Sequence, residues 1–360
     1  MQPLEPSGSV GAGPQVPPLP QHYEIATPPR KPRWNVLKVL AGLLVAGVLA
    51  FSLLLNLGLL VVAAGLGGDS RVQERHFSHR PGAPNKVAIV RIEGPIIEGE
   101  GYAKRQIDQA LRDEAVKAVV LRVDSPGGTV SGSDLLYHHL RKLVEKKNIP
   151  LVVSMGGIAA SGGYYVSMAV GSTPDTVFAE PSTWTGSIGV IIPHYDFSGL
   201  LAEWGVKQDS IVSHPLKGIG SFTRPMTPEE RKILQELVNE SFSDFKEIVR
   251  KGRPRFQNDP QALDRLATGQ VFTARQAKEN GLVDRIGYLE DAVERAIELA
   301  GLDPQEVNVV EYKRELSLWS LLLEGRARTQ AVDVASLLDR LTPRAYYLWT
   351  WVPPVLASPR

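Results

Sequence analysis

The chain has 360 residues, 43% of them hydrophobic and 22% charged, which is enough for one or two domains with a real core. A net charge of +1 gives no basic surplus to hold nucleic acid, and the lack of cysteine excludes disulfides, thiolate metal sites and a cysteine nucleophile. The histidines (His22, His76, His79, His138, His139, His194 and His214) show no metal-ligand spacing.

Residues 1–35 are rich in Pro, Gly and Ser and follow no helical or strand period, so a disordered tail is predicted. From Val39 to Gly68 no residue is charged, and the only polar side chains are Ser52 and Asn56. A membrane-spanning helix needs about 20 apolar residues, whereas a cleaved signal has an apolar core of about 7–15. Residues 36–68 are therefore predicted to span a membrane, with lipid along 39–64. Arg30, Lys31, Arg33 and Lys38 precede the span; Arg71, Arg75 and Arg80 follow it, mixed with Asp69 and Glu74. This bias places the N-terminus in the cytoplasm and everything after the span outside it.

Residues 69–85 read as a polar linker ending in Pro81-Gly82-Ala83-Pro84. Strand and helix patterns then alternate. Strands are expected at 86–92, 116–123, 151–155, 176–180, 187–192 and 207–212, and helices at 102–114, 131–147, 164–170, 227–250, 259–267, 273–280 and 289–300. This order predicts an α/β domain over 86–302 with a mostly parallel sheet. Thr227-Pro228-Glu229-Glu230 opens the longest helix with a cap, a first-position proline and first-turn acids. In 303–360 the apolar and aromatic stretches Leu316–Leu323 and Ala345–Val352 suit docking onto the core or packing against another subunit.

The chemistry concentrates in Gly156-Gly157-Ile158-Ala159-Ala160-Ser161-Gly162-Gly163-Tyr164-Tyr165. A strand runs into a small-residue turn, then a serine, then a helix. That order puts a hydroxyl at a helix N-terminus, where free N–H groups favour negative charge. A serine nucleophile needs such donors, because the oxygen of the attacked carbonyl becomes an anion. The competing reading is a plain serine N-cap in a glycine-rich packing turn. A second glycine turn, Asp124-Ser125-Pro126-Gly127-Gly128-Thr129-Val130, also joins a strand to a helix and can aim backbone N–H groups into the same crevice. The serine needs a proton acceptor. No His-Asp spacing supplies one, although His194 and His214 stay open. A lysine serves if burial keeps it neutral, and Lys217 sits in a Gly/Pro loop, His214-Pro215-Leu216-Lys217-Gly218-Ile219-Gly220-Ser221.

Four ordered motifs resemble the signal peptide peptidase A (SppA) family over about 86–300. They are Asp124-Ser125-Pro126-Gly127-Gly128, Ala160-Ser161-Gly162-Gly163-Tyr164-Tyr165, Thr185-Gly186-Ser187-Ile188-Gly189-Val190, and Lys217 followed by Arg224-Pro225-Met226-Thr227 and the long helix. The resemblance implies a Clp protease/crotonase-like α/β fold behind one transmembrane helix. It implies Ser161 as nucleophile, Lys217 as general base, Ser187 orienting the lysine amine, and the N–H groups of Gly128 and Gly162 as oxyanion hole. No metal or other cofactor is implied. Expected substrates are signal peptides left in the membrane and other membrane-proximal peptides. A homo-oligomer is expected, with the catalytic domain on the outer (periplasmic) side of a bacterial inner membrane. The chain departs from the family's pattern in a longer link, Gly171-Ser172-Thr173-Pro174, and in Trp184, which could narrow a pocket. Two rival readings are a crotonase-type acyl-CoA enzyme and an inactive membrane scaffold of the same fold.

Overall fold

The structure, a computed structural model, describes residues 36–66, 72–314 and 346–348. The predicted tail 1–35 and the apolar stretch 316–323 lie outside the described residues. The chain divides into two units, Met1–Gly67 and Gly68–Arg360. The first contains helix α1 (Val36–Leu66). Its Lys38–Gly58 stretch is long and apolar enough to cross a membrane, judged by length and composition.

The second unit opens with strands β1 (Val72–His79) and β2 (Asn85–Glu93), then α2 (Tyr102–Arg112), β3 (Val116–Ser125) and the short β4 (Gly127–Thr129). Helix α3 (Val130–Lys147), strand β5 (Leu151–Ala160) and helix α4 (Gly162–Ser167) follow. Next come β6 (Val177–Ala179), β7 (Trp184–Gly186), α5 (Ser198–Glu203) and the long α6 (Pro228–Gly252). The chain continues through α7 (Arg255–Asn258), α8 (Pro260–Leu266), β8 (Val271–Thr273), α9 (Ala274–Asn280), β9 (Arg285–Ile286), α10 (Leu289–Leu299), β10 (Val307–Arg314) and β11 (Tyr346–Leu348).

The main sheet has the order β1-β10-β2-β3-β5-β6-β9, with β7 pairing β5 and β8. Strands β10, β2, β3, β5, β6 and β9 are parallel; β1 and β8 run antiparallel to their neighbours. A parallel sheet is covered on both faces, so its strands carry near-continuous apolar runs. Alternation along each strand then divides the core in two. Ala88, Val90, Val119, Leu121, Val153 and Met155 pack with Ile107 of α2, Leu140 of α3, Tyr164 of α4 and Phe245 of α6. Val87, Ile89, Ala118, Val120 and Val152 face Val293, Ala296 and Ile297 of α10. Helix α6 starts as its sequence predicts: Thr227 and Glu230 form a capping box, with Pro228 at the first position.

Three local expectations change. The expected linker 69–85 contains β1, which pairs antiparallel with β10 as the sheet edge. Its sequence, VQERHFSH, is polar because an edge strand half in water needs no apolar face. The strand expected at 187–192 does not form; the strand here is Trp184–Gly186, and Ser187 leaves the ladder with a left-handed φ of 50°. The strand expected at 207–212 does not form: those residues are an exposed loop, and Ile211 is fully exposed.

Candidate active site

Ser161 stands between β5 and α4, where the chain must turn from strand to helix within one residue. It does so at φ 55°, ψ −115°, a conformation that L-residues avoid. Such a residue costs about 1–3 kcal/mol and persists only where its surroundings over-determine it. Here they do: its N–H donates to the Gly186 carbonyl at 2.8 Å, and its carbonyl accepts from the Tyr165 N–H at 2.8 Å. The side chain makes no capping hydrogen bond to α4. The plain N-cap reading therefore does not apply, and a hydroxyl on a strained elbow is left for other work.

The glycines beside it allow backbones to meet. A Cβ on Gly163 would lie 2.6 Å from the Ser125 carbonyl oxygen. On Gly162 it would lie 2.4 Å from Ser133 Oγ and 3.1 Å from the Gly128 nitrogen. The Gly128 amide and the start of α4 are thus neighbours, as an oxyanion pair requires. Strand β4 is locked on one side by Ile96, whose N–H donates to the Gly127 carbonyl and whose carbonyl accepts from the Thr129 N–H, both at 2.8 Å. The N–H and C=O of Gly128 point the other way, since these groups alternate along a strand.

Ser161 and Ser187 line one cleft of about 440 Å³ with Ile188, Val190, Phe242 and Ala267. Ser161 itself is only 1% exposed. Ser187 is pinned by its N–H to the Gln270 carbonyl at 2.8 Å, while its Oγ donates to the Gly269 carbonyl at 3.2 Å. The Gly171–Pro174 link does not disturb this register, for Gly186 stays paired with Ala160. Trp184 opens β7 half exposed and does not line the cleft.

Lys217 does not line this cleft. It sits in a 3₁₀ turn, Pro215–Gly218, with its side chain exposed. The turn is tied to α6: Arg224 donates to the Gly218 carbonyl at 3.1 Å and pairs with the buried Glu230. His214 Nδ1 accepts from the Leu216 N–H at 3.2 Å, capping that turn, and neither His214 nor His194 lines the cleft. The structure thus brings Ser161 and Ser187 into one cleft and Gly162 against Gly128 beside it, while Lys217 is exposed and does not line that cleft.

Peptidase family S49 matches residues 144–303 by its profile. Over 247 residues the chain is 40% identical to a Synechocystis sp. protein named "Putative protease", covering 69% of this chain and 86% of that one. The chain belongs to peptidase family S49. Over 256 residues it is 37% identical to the "Putative signal peptide peptidase SppA" of Enterococcus faecium, covering 68% and 72% of the two chains. It is also 38% identical over 224 residues to Protease 4 of Haemophilus influenzae, spanning 60% of this chain but 35% of that longer protein. This S49 member is a serine peptidase, a hydrolase of peptide substrates.

Sequence reasoning missed some residues near the site. Ile96 locks β4 through backbone groups alone, so no side-chain signal marks it. Phe242 enters the cleft from α6, where one aromatic on an amphipathic helix reads as ordinary core. Tyr346–Leu348 pairs antiparallel with β4. It belongs to the aromatic stretch 345–352, whose composition signals packing but not its target.

Proposed function

We propose that this S49 peptidase hydrolyses peptide bonds through an acyl-enzyme, with Ser161 as nucleophile and Lys217 as general base. The observation that carries the reading is the Ser161 elbow: a strained, uncommitted hydroxyl next to the Gly128 and Gly162 amides. Neutral Lys217 Nζ takes the Ser161 proton as Oγ attacks the carbonyl carbon. The Gly128 and Gly162 N–H groups hold the developing oxyanion. The lysine ammonium then protonates the departing amine. A water, deprotonated in turn by Lys217, attacks the ester and frees the acid. Ser187 orients the amine with its spare acceptor capacity.

A lysine accepts a proton only when neutral, which requires its withdrawal from water. Exposed Lys217 therefore reaches its working place by closure of its loop or by docking of a second copy. The exposed apolar side chains of that loop, among them Trp204, Val206 and Ile211, favour docking. Helix α1 serves as a membrane anchor, with the N-terminus cytoplasmic and the peptidase unit outside. Signal peptides remaining in the membrane after processing are the expected substrates.

The test uses the full chain in detergent, a fluorogenic peptide, and Ser161→Ala, Lys217→Ala and His214→Ala variants across pH. Loss of activity in the first two, retention in the third, and a rate rising toward alkaline pH support the dyad. Activity surviving Lys217→Ala but not His214→Ala keeps the serine and replaces the base. Mixing Ser161→Ala with Lys217→Ala subunits separates the two routes, since regained activity requires one copy's lysine to serve another's serine.

A further inference from the structure

Strand β4 is only three residues long, yet it carries Gly128, one of the two proposed oxyanion donors. Two of the three are glycines, whose backbones are the freest of any residue. So short a strand cannot fix an amide by itself. Ile96 holds it from behind, and hydroxyl groups do the rest. Ser125 Oγ accepts from the Gly127 N–H at 3.1 Å. Ser133 Oγ donates to the Thr129 carbonyl at 2.9 Å. Thr129 Oγ1 donates to the Ile97 carbonyl at 2.7 Å and accepts from the Gly132 N–H at 3.0 Å. Ser125 and Ser133 are fully buried and Thr129 is nearly so.

Thr129 caps α3, and a cap needs only an acceptor. The bond that Thr129 donates to Ile97 lies outside that role. Its effect follows from peptide geometry. The Gly128 N–H shares a planar peptide with the Gly127 carbonyl, which accepts from the Ile96 N–H at 2.8 Å. The place of Ile96 therefore sets where the Gly128 N–H aims. Thr129 Oγ1 fixes the next residue, Ile97, and ties that segment to the first turn of α3. Ser133, in the same turn, returns to the Thr129 carbonyl. Its Oγ also abuts the other donor residue: a Cβ on Gly162 would lie 2.4 Å from it and 3.1 Å from the Gly128 nitrogen. One small frame thus reaches both glycines.

We infer that Thr129 and Ser133 are positioning residues: their hydroxyls set the aim of the Gly128 amide and its spacing from Gly162. This deepens the proposed function and rests on its reading of Ser161 and the two glycine amides. Neither hydroxyl touches substrate. Both act on the donors that meet the carbonyl oxygen once it carries charge, so their worth appears in the tetrahedral state and not in the bound peptide.

The experiment uses the full chain in detergent, as wild type and as Thr129→Val, Thr129→Ser, Ser133→Ala and Ser161→Ala. It reads kcat and KM on a fluorogenic peptide, and the inhibition constant of a peptide aldehyde of the same sequence. Ser161 Oγ adds to the aldehyde carbon, the carbonyl electron pair moves onto its oxygen, and the hydroxyl proton passes to the base. The adduct thus resembles the tetrahedral state. Thr129→Val keeps the shape and loses the hydroxyl, so kcat should fall about ten- to hundredfold, short of losing the donor outright, with KM unchanged. Aldehyde binding should weaken by the same factor. Thr129→Ser keeps both hydrogen bonds and should stay close to wild type. Ser133→Ala should lose kcat and aldehyde affinity together, and it carries the test should Thr129→Val not fold. Wild-type kcat in Thr129→Val or Ser133→Ala overturns the positioning role of that residue. So does a loss of kcat with aldehyde affinity unchanged, or a Thr129→Ser as slow as Thr129→Val. If Ser161→Ala cleaves the peptide normally, the serine reading itself fails and takes this inference with it.

Discussion

The floor of the site and the loop that carries Lys217 are built on opposite principles. The floor is over-determined: Ser161 and Ser187 both hold left-handed φ values, each tied through its N–H to a neighbouring carbonyl at 2.8 Å. Three backbone segments meet there at distances only glycine allows. The loop between Phe197 and Phe222, which closes on one backbone hydrogen bond of 2.7 Å, presents apolar side chains to water. On the proposed mechanism, the half of the site that would hold an oxyanion is thus preorganised in one chain, where a loose donor would lose most of its value. On the same mechanism, the half that would supply the base is left to be assembled.

The largest expected effect tests the floor. Gly162→Ala drives a Cβ to 2.4 Å from Ser133 Oγ and displaces the amide beside Gly128. kcat/KM should fall about 100–1000-fold, the typical loss for one oxyanion donor, and Tm should fall too. Adding Ser133→Gly relieves that contact but leaves the Cβ 3.1 Å from Gly127 Cα and the Gly128 nitrogen, so it should restore part of Tm but little of the rate. If Gly162→Ala runs at the wild-type rate, the close packing of Gly162 on β4 does not set the rate.

The next test addresses the loop. Ile211 is fully exposed in the single chain, so Ile211→Asp should leave the protomer's fold intact, which circular dichroism checks, because surface substitutions away from special features stay within about 0.5 kcal/mol. Activity should nonetheless fall, by about tenfold, and light scattering should show a smaller assembly. Unchanged mass and rate would make the loop a solvated surface and return the lysine to closure within one chain.

How the sequence relates to each half follows the same division. The close backbone approaches at Gly-flanked Ser161 and the Asp124–Gly128 turn were readable, because glycine at such places leaves a chemical trace. The parallel sheet was readable as well, since burial on both faces makes β2, β3 and β5 continuously apolar. The loop misled. Ile211 and Val212 read as strand because apolar residues imply a covering surface, and among the described residues both are exposed. β1 was missed for the reverse reason, as edge pairing to β10 depends on backbone groups that composition does not display. Ser187, singled out by the family resemblance, was mistaken for strand, because its φ of 50° accompanies the contact of its N–H with Gln270, far along the chain.

A smaller effect is expected where the two halves join. Arg224 bridges the Lys217 turn and α6, donating to the Gly218 carbonyl and pairing with Glu230. Arg224→Ala should lower kcat about three- to tenfold with KM unchanged, since the turn wanders while the cleft that binds peptide stays intact. A rise in KM at constant kcat would instead place Arg224 among the residues that hold substrate.

The smallest effect concerns the acid side of stability. The Arg224 guanidinium and the Thr227 N–H hold the Glu230 carboxyl down to about 2. A glutamate in the unfolded chain titrates near 4.3. A folded-state value below the unfolded one adds stability that is complete above the unfolded value and is lost as pH falls through the folded one. Urea unfolding of the wild type and of Glu230→Gln should therefore show a constant gap from pH 7 to about 4.3 that narrows toward about pH 2. Gln keeps the shape but accepts more weakly from Arg224 and Thr227, so the gap isolates the charge. If the gap instead persists unchanged at low pH, Glu230 contributes through packing and its cap geometry. The tie between the Lys217 turn and α6 would then not depend on the ion pair.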